Sequence, residues 1–180
     1  MQKLIVSDIF GKTKQLEKIA QLMTGDVTIL DPYGGKYMAF SNEDEAYQYF
    51  SSKVGLEQYA LMLFEKIASE KNNLQLIGFS VGASAIWMVS EHKELTNIAD
   101  AVCFYGSQIR HYTGLTPIFS TQLIFPDSEK HFDVSKLINA VEKKENVNVV
   151  KTEYSHGFMN KQSLNFNQAG FDQFLTWLVS

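Results

Sequence analysis

The stretch Gly78-Phe79-Ser80-Val81-Gly82 constrains this chain more than any other. It follows the apolar run Leu74-Gln75-Leu76-Ile77 and opens into Ala83-Ser84-Ala85-Ile86-Trp87-Met88-Val89. An apolar run, a tight turn and then helix-forming residues is how a strand hands over to a helix through a strained bend. That context turns the bare G-x-S-x-G pattern into a nucleophile elbow. A serine held in such a bend needs neighbours without bulk, and Gly78 and Gly82 supply them. Ala83 and Ser84 let the new helix pack closely on the sheet. The first turn of that helix presents free N–H groups, which favour developing negative charge.

The rest of the chain alternates strand and helix around this turn. Leu4 to Val6 reads as a short buried strand, broken by Ser7-Asp8-Ile9-Phe10-Gly11. Lys12 to Met23 is amphipathic at helical spacing, and Val27 to Leu30 is the second strand. Asp31-Pro32-Tyr33-Gly34-Gly35 is a turn cluster. Asn42 or Ser41 caps an acidic helix from Glu43 to Phe50, and Leu56 to Ala68 forms a longer one, with Tyr59, Leu63, Ile67, Leu61 and Phe64 on its apolar side. After the elbow helix come strands over Ala99 to Phe104 and Thr121 to Phe125, joined by a loop from Gln108 to Ser120. Asp133 caps a helix to about Glu142. Val147 to Val150 is the last strand, Ser155-His156-Gly157-Phe158 breaks the chain, and Gln168 to Val179 closes it.

Continuous apolar strands separated by helices predict a mostly parallel sheet of about six strands, covered on both faces and doubly wound, in one domain over 1–180. Ligands bind such sheets at the carboxyl ends of the strands. The loops at Ser7, Asp31, Ser80, Tyr105, Asp127 and Ser155 all fall there.

Composition narrows the chemistry. The chain has 180 residues, 45% of them hydrophobic, with a formal net charge of −4. That charge implies no nucleic-acid surface. Arg110 is the only arginine among 16 basic residues. One cysteine, Cys103, rules out an intrachain disulfide or a cysteine metal cluster. The N-terminus lacks a signal-peptide core and no apolar run reaches the ~20 residues of a membrane span, so the chain reads as cytoplasmic and soluble.

A serine hydroxyl needs a base within hydrogen-bond reach. Of the histidines His92, His111, His131 and His156, the last directly follows a strand and precedes a glycine, which makes it the leading candidate. A carboxylate should orient it, and in the chain order Ser, acid, His that acid follows the fifth strand. Asp133 is better explained as a helix cap, and the choice between Asp127 and Glu129 stays open. The oxyanion donors expected are the N–H groups of Val81 and Ile9. Asp8, at the same edge, bonds the resting Ser80 hydroxyl or caps the helix at Lys12.

Assembled in this order, the residues resemble the dienelactone hydrolase family of α/β-hydrolases. Ser7-Asp8-Ile9-Phe10-Gly11 is similar to that family's His-Glu-Ile-Phe-Gly stretch, and Asp31-Pro32-Tyr33-Gly34-Gly35 to its Pro-Asp-Leu-Tyr-Gly turn. Phe104-Tyr105-Gly106 matches its Tyr-Tyr-Gly, and His156-Gly157-Phe158 its His-Gly-Phe. The namesake enzymes use a cysteine where this chain has Ser80, as esterase-like relatives do. The family's Gly-x-x-Asp pattern becomes Pro126-Asp127-Ser128-Glu129-Lys130-His131-Phe132, which aligns either Glu129 or Lys130 with the acid. The usual first two strands are absent, and the segment from Tyr105 to Thr121 is too brief for a lid domain.

The resemblance implies a minimal α/β-hydrolase fold with a shallow, open site. It also implies a serine hydrolase that cleaves a small ester or thioester through an acyl-enzyme, with no metal or organic cofactor. Asp8, Phe10, Tyr33, Tyr105, Arg110, Phe158 and Met159 would shape its pocket, with Arg110 a candidate for an anionic substrate group. An open aromatic rim could support a homodimer. The contrasting expectation is a binding module that keeps the fold but lacks the triad's acid; a third is acyl transfer to an acceptor other than water.

Overall fold

The computed structural model describes residues 1–179. All six strands pair in parallel in one sheet: β1 (Gln2–Val6), β2 (Val27–Leu30), β3 (Leu74–Phe79), β4 (Ile98–Phe104), β5 (Ser120–Phe125) and β6 (Val147–Lys151). Their spatial order is β2-β1-β3-β4-β5-β6. The winding reverses between β1 and β3, where Val6 lies opposite Gly78. A crevice opens at such a reversal because the two following connections leave toward opposite faces.

Alternation along each strand builds two cores. Leu4, Val6, Leu74, Leu76, Cys103 and Leu123 face α3 (Leu56–Ser69), α4 (Val81–Val89) and α5 (Val134–Val141), with Ala46 and Phe50 of α2 (Glu43–Lys53) on the same side. Ile5, Ile77, Phe79, Val102 and Phe104 face α1 (Lys14–Leu22) and α6 (Gln168–Val179). Where a central strand is buried on both faces, over 4–6, 76–79, 101–104 and 123–125, its sequence runs continuously apolar.

Local signals place most element ends. Asn42 Oδ1 accepts the Glu45 N–H, and Asp133 Oδ1 accepts from Ser135 and Lys136, so both act as helix caps. The first helix begins later than its periodicity predicts, because Thr13 Oγ1 takes the Leu16 N–H. The segment after β4 is not wholly loop: Ser107–His111 forms a 3₁₀ turn that buries Ile109. Of the expected apolar side of α3, Tyr59, Leu63 and Ile67 are buried and Phe64 is partly buried, whereas Leu61 is exposed. Among the described residues no helix is long and apolar enough to cross a membrane.

Candidate active site

Ser80 sits between β3 and α4 with φ 52° and ψ −111°, in the left-handed half of backbone space. A side chain there is strained, and the surrounding backbone holds it. A Cβ on Gly78 would lie 2.7 Å from the Ala83 backbone, and one on Gly82 would overlap the carbonyl oxygens of Val6 and Ser7. The two glycines therefore let the turn close and let α4 start against the end of β1. The result projects the Ser80 hydroxyl above the crevice at the sheet reversal.

Ser80 Oγ lies 3.0 Å from His156 Nε2, and His156 Nδ1 lies 2.6 Å from Glu129 Oε1. The pattern is satisfied when Nδ1–H donates to the carboxylate and Nε2 accepts from the serine. Glu129 is mostly buried, with a side chain 12% exposed. His156 is braced further: its carbonyl accepts from Asn165 Nδ2, and Gly157 takes φ 83° where a Cβ would overlap Ser163. Tyr105, itself at φ 41° and fully buried, lays its ring 5.0 Å from the imidazole.

Two residues expected to supply backbone donors, Ile9 and Val81, both line the cleft beside Ser80. The Val81 N–H begins a helix and so has no intrahelical acceptor. In the loop after β1, Ser7 N–H goes to Leu30 O, Phe10 N–H to Asp8 Oδ1 and Gly11 N–H to Asp8 O. The Ile9 N–H is left without an acceptor among the described residues. Tyr33 steadies this loop from behind, its hydroxyl donating to Ile9 O at 2.6 Å.

The other expected residues are placed differently. Asp127 turns away from His156 and lies 3.5 Å from Lys151 Nζ, with a side chain 60% exposed. Its backbone N–H is held by Tyr154 O, which points the chain so that Glu129, two residues on, swings back to the imidazole. Asp8 neither reaches Ser80 nor caps α1. Its Oδ1 accepts the Phe10 N–H at 3.0 Å and its Oδ2 accepts Asn160 Nδ2 at 2.6 Å. Burial pushes the Asp8 carboxyl up to about 6, against the opposing pull of the Asn160 and Phe10 hydrogen bonds. Asn160 was invisible to sequence reasoning, since a lone loop asparagine carries no pattern.

Phe158 is not a pocket residue: it is fully buried against Phe104, Tyr105, Tyr154 and Phe174. Met159 is buried as well, and Tyr33 stands behind the loop rather than in the cleft. His111 is exposed on the 3₁₀ turn, and His92 lies against Phe64 far from the crevice. Asp8, Phe10 and Tyr105, expected to shape the pocket, do line the cleft, as does His131; it is a space of about 540 Å³. Its walls come from Glu43, Asp44 and Tyr47 of α2 on one side and from Arg110, Lys130 and Phe132 on the other. Arg110 packs its guanidinium over the Phe132 ring at 5.0 Å and donates to Ser107 O. Among the described residues no group of His, Cys, Asp and Glu is arranged to hold a metal ion.

No family model matches the chain. The protein YczH of Bacillus subtilis strain 168, itself uncharacterised, is 28% identical over 183 residues, spanning 93% of this chain and 85% of that one. Among solved structures, a protein provisionally assigned as a dienelactone hydrolase from Klebsiella pneumoniae superposes with a TM-score of 0.70 at 16% identity, over 98% of this chain and 85% of that one. The dienelactone hydrolase of Anabaena variabilis superposes at 0.62 with 14% identity, over 98% and 84%. The chain thus has the α/β-hydrolase fold.

Proposed function

We propose that the protein is a serine hydrolase of the esterase or thioesterase type, acting on a small ester through an acyl-enzyme. The observation that carries this reading is the continuous relay from Ser80 through His156 to Glu129, at 3.0 Å and 2.6 Å. In it, Ser80 Oγ attacks the carbonyl carbon while His156 Nε2 takes the hydroxyl proton. Glu129 keeps the imidazole in the tautomer that can accept that proton and stabilises the cation that forms. The Val81 and Ile9 N–H groups receive the developing oxyanion. His156 then protonates the leaving oxygen or sulfur, and a water deprotonated by the same ring releases the acid. No metal or organic cofactor enters these steps. The hydrolases that share the fold support the reaction class. A binding module without an acid is disfavoured by Glu129, which bonds the histidine where that reading required a gap.

The test is labelling with a fluorophosphonate, which reacts only with an activated serine. Wild type is expected to label, Ser80→Ala not at all, and His156→Ala at a small fraction of the wild-type rate. A folded wild type that takes no label would remove the hydrolase reading.

A further inference from the structure

The base and one oxyanion donor stand on loops far apart in sequence, and one buried pair of side chains joins them. Asp8 and Asn160 are each 9% exposed. Asp8 belongs to the loop after β1, beside Ile9, and Asn160 to the segment that carries His156. Asn160 Nδ2 donates to Asp8 Oδ2 at 2.6 Å. Both partners are fixed in polarity. Asp8 Oδ1 is taken by the Phe10 N–H, and Asn160 Oδ1 accepts the Gln162 N–H at 2.8 Å. The amide therefore cannot turn over without losing the Gln162 bond, so its nitrogen is committed to Asp8. The Asn160 backbone N–H donates to Gly157 O, which links the pair tightly to the residue after His156.

We propose that Asn160 is a positioning residue: held on Asp8 Oδ2, its amide locks the His156 loop to the Ile9 loop and keeps base and oxyanion donor in register. The inference rests on the hydrolase reading of the site. The direct tie between Ser80 and His156 changes when the proton moves to the ring, whereas the Asp8–Asn160 bond involves neither reacting atom. It can hold the loops through the whole cycle. A misplacement of about 1 Å in such a site costs on the order of 10²-fold in rate.

The experiment exchanges the two side chains. Asp8→Asn alone keeps an acceptor for the Phe10 N–H but sets an amide against an amide. Asn160→Asp alone sets carboxylate against carboxylate. The double exchange D8N/N160D restores one donor facing one acceptor and still leaves an oxygen for the Gln162 N–H. Fluorophosphonate labelling is expected to slow about tenfold or more in each single variant. It should return to within about threefold of wild type in the double variant. With a turned-over ester the loss should fall on kcat rather than KM, as expected for contacts that matter in the transition state. Single variants that label at the wild-type rate overturn the proposal. So does a double variant no faster than the slower single one, or a loss that follows only a lowered unfolding midpoint. Amide hydrogen exchange over 8–11 and 155–165 tests the lock separately from the chemistry. If wild type takes no label, the hydrolase reading fails, and the lock stands or falls on exchange alone. Faster exchange of both segments in the single variants, reversed in the double, supports it; unchanged exchange overturns it.

Discussion

Glu129 Oε1 lies 2.6 Å from His156 Nδ1, while Asp127, two residues earlier, pairs with Lys151 at the rim. The loop after β5 thus offers two carboxylates and directs only one of them inward. Glu129→Gln keeps the side chain's size but replaces the charged acceptor and permits the wrong imidazole tautomer. We expect it to lower kcat/KM, or the fluorophosphonate labelling rate, by about 10³- to 10⁴-fold. Asp127→Asn should stay within about threefold of wild type. Equal losses in the two variants would contradict the assignment.

Ser80 stores backbone strain at φ 52°. Glycine adopts that conformation without a Cβ penalty. Ser80→Gly should therefore unfold at higher denaturant, with a gain of about 1 kcal/mol, while losing all labelling. A destabilised Ser80→Gly would mean that the hydroxyl contributes more to the fold than the strain costs.

Gly82 lies where any Cβ would overlap the Val6 and Ser7 carbonyls at the end of β1. Those atoms belong to a buried strand and cannot withdraw as a flexible side chain would. Gly82→Ala is expected to cost about 2–3 kcal/mol in urea unfolding and to displace α4 from the Ile9 loop, so labelling falls with stability. Gly114, by contrast, has open space at its Cβ, and Gly114→Ala should be near neutral.

Asp8 gives a pH dependence of unusual sign. Its carboxyl is raised from 3.8 to about 6, chiefly by burial, with Glu43 adding to the rise and His156 opposing it. The folded chain therefore binds this proton more tightly than the unfolded chain. Between about pH 4 and pH 6 the folded state holds more protons, so stability falls as pH rises through that window. The cost of ionising the buried group is complete above pH 6 and amounts to about 3 kcal/mol. Asp8→Asn removes the titration. Unfolding free energies of wild type and variant, measured from pH 4 to pH 7, should diverge in favour of the variant as pH rises. Parallel curves would show that Asp8 does not titrate in this range.

Much of the fold was legible because its causes are local. Apolar runs marked the central strands, whose buried stretches at 4–6, 76–79, 101–104 and 123–125 tolerate little else, and shorter apolar stretches marked the edge strands β2 and β6. Asn42 and Asp133 announced their helices, because a cap acts on N–H groups only two or three residues away. Ser80 was legible for the same reason: the strain, the flanking glycines and the following helix all lie within one short segment. His156 stood out by its place between a strand and a glycine.

What only the tertiary structure decided are the pairings that depend on the path of a loop. The residues after Pro126 carry two carboxylates, and composition does not say which one turns inward; the Asp127–Tyr154 backbone bond and the Lys151 ammonium settle that direction. From sequence Asp8 was open to the Ser80 hydroxyl or to the helix at Lys12 and took neither, because Asn160, distant in the chain, is brought within 2.6 Å by the fold. Phe158, next but one to His156, belongs to the aromatic core instead of the cleft, since Gly157 reverses the chain between them. The sequence by itself determined the strands, the elbow and the candidate nucleophile and base, all set by interactions within a few residues. The acid's orientation and the bond between the two loops required the whole sheet, since hydrogen bonds across long sequence separations exist only once the strands beneath them are paired.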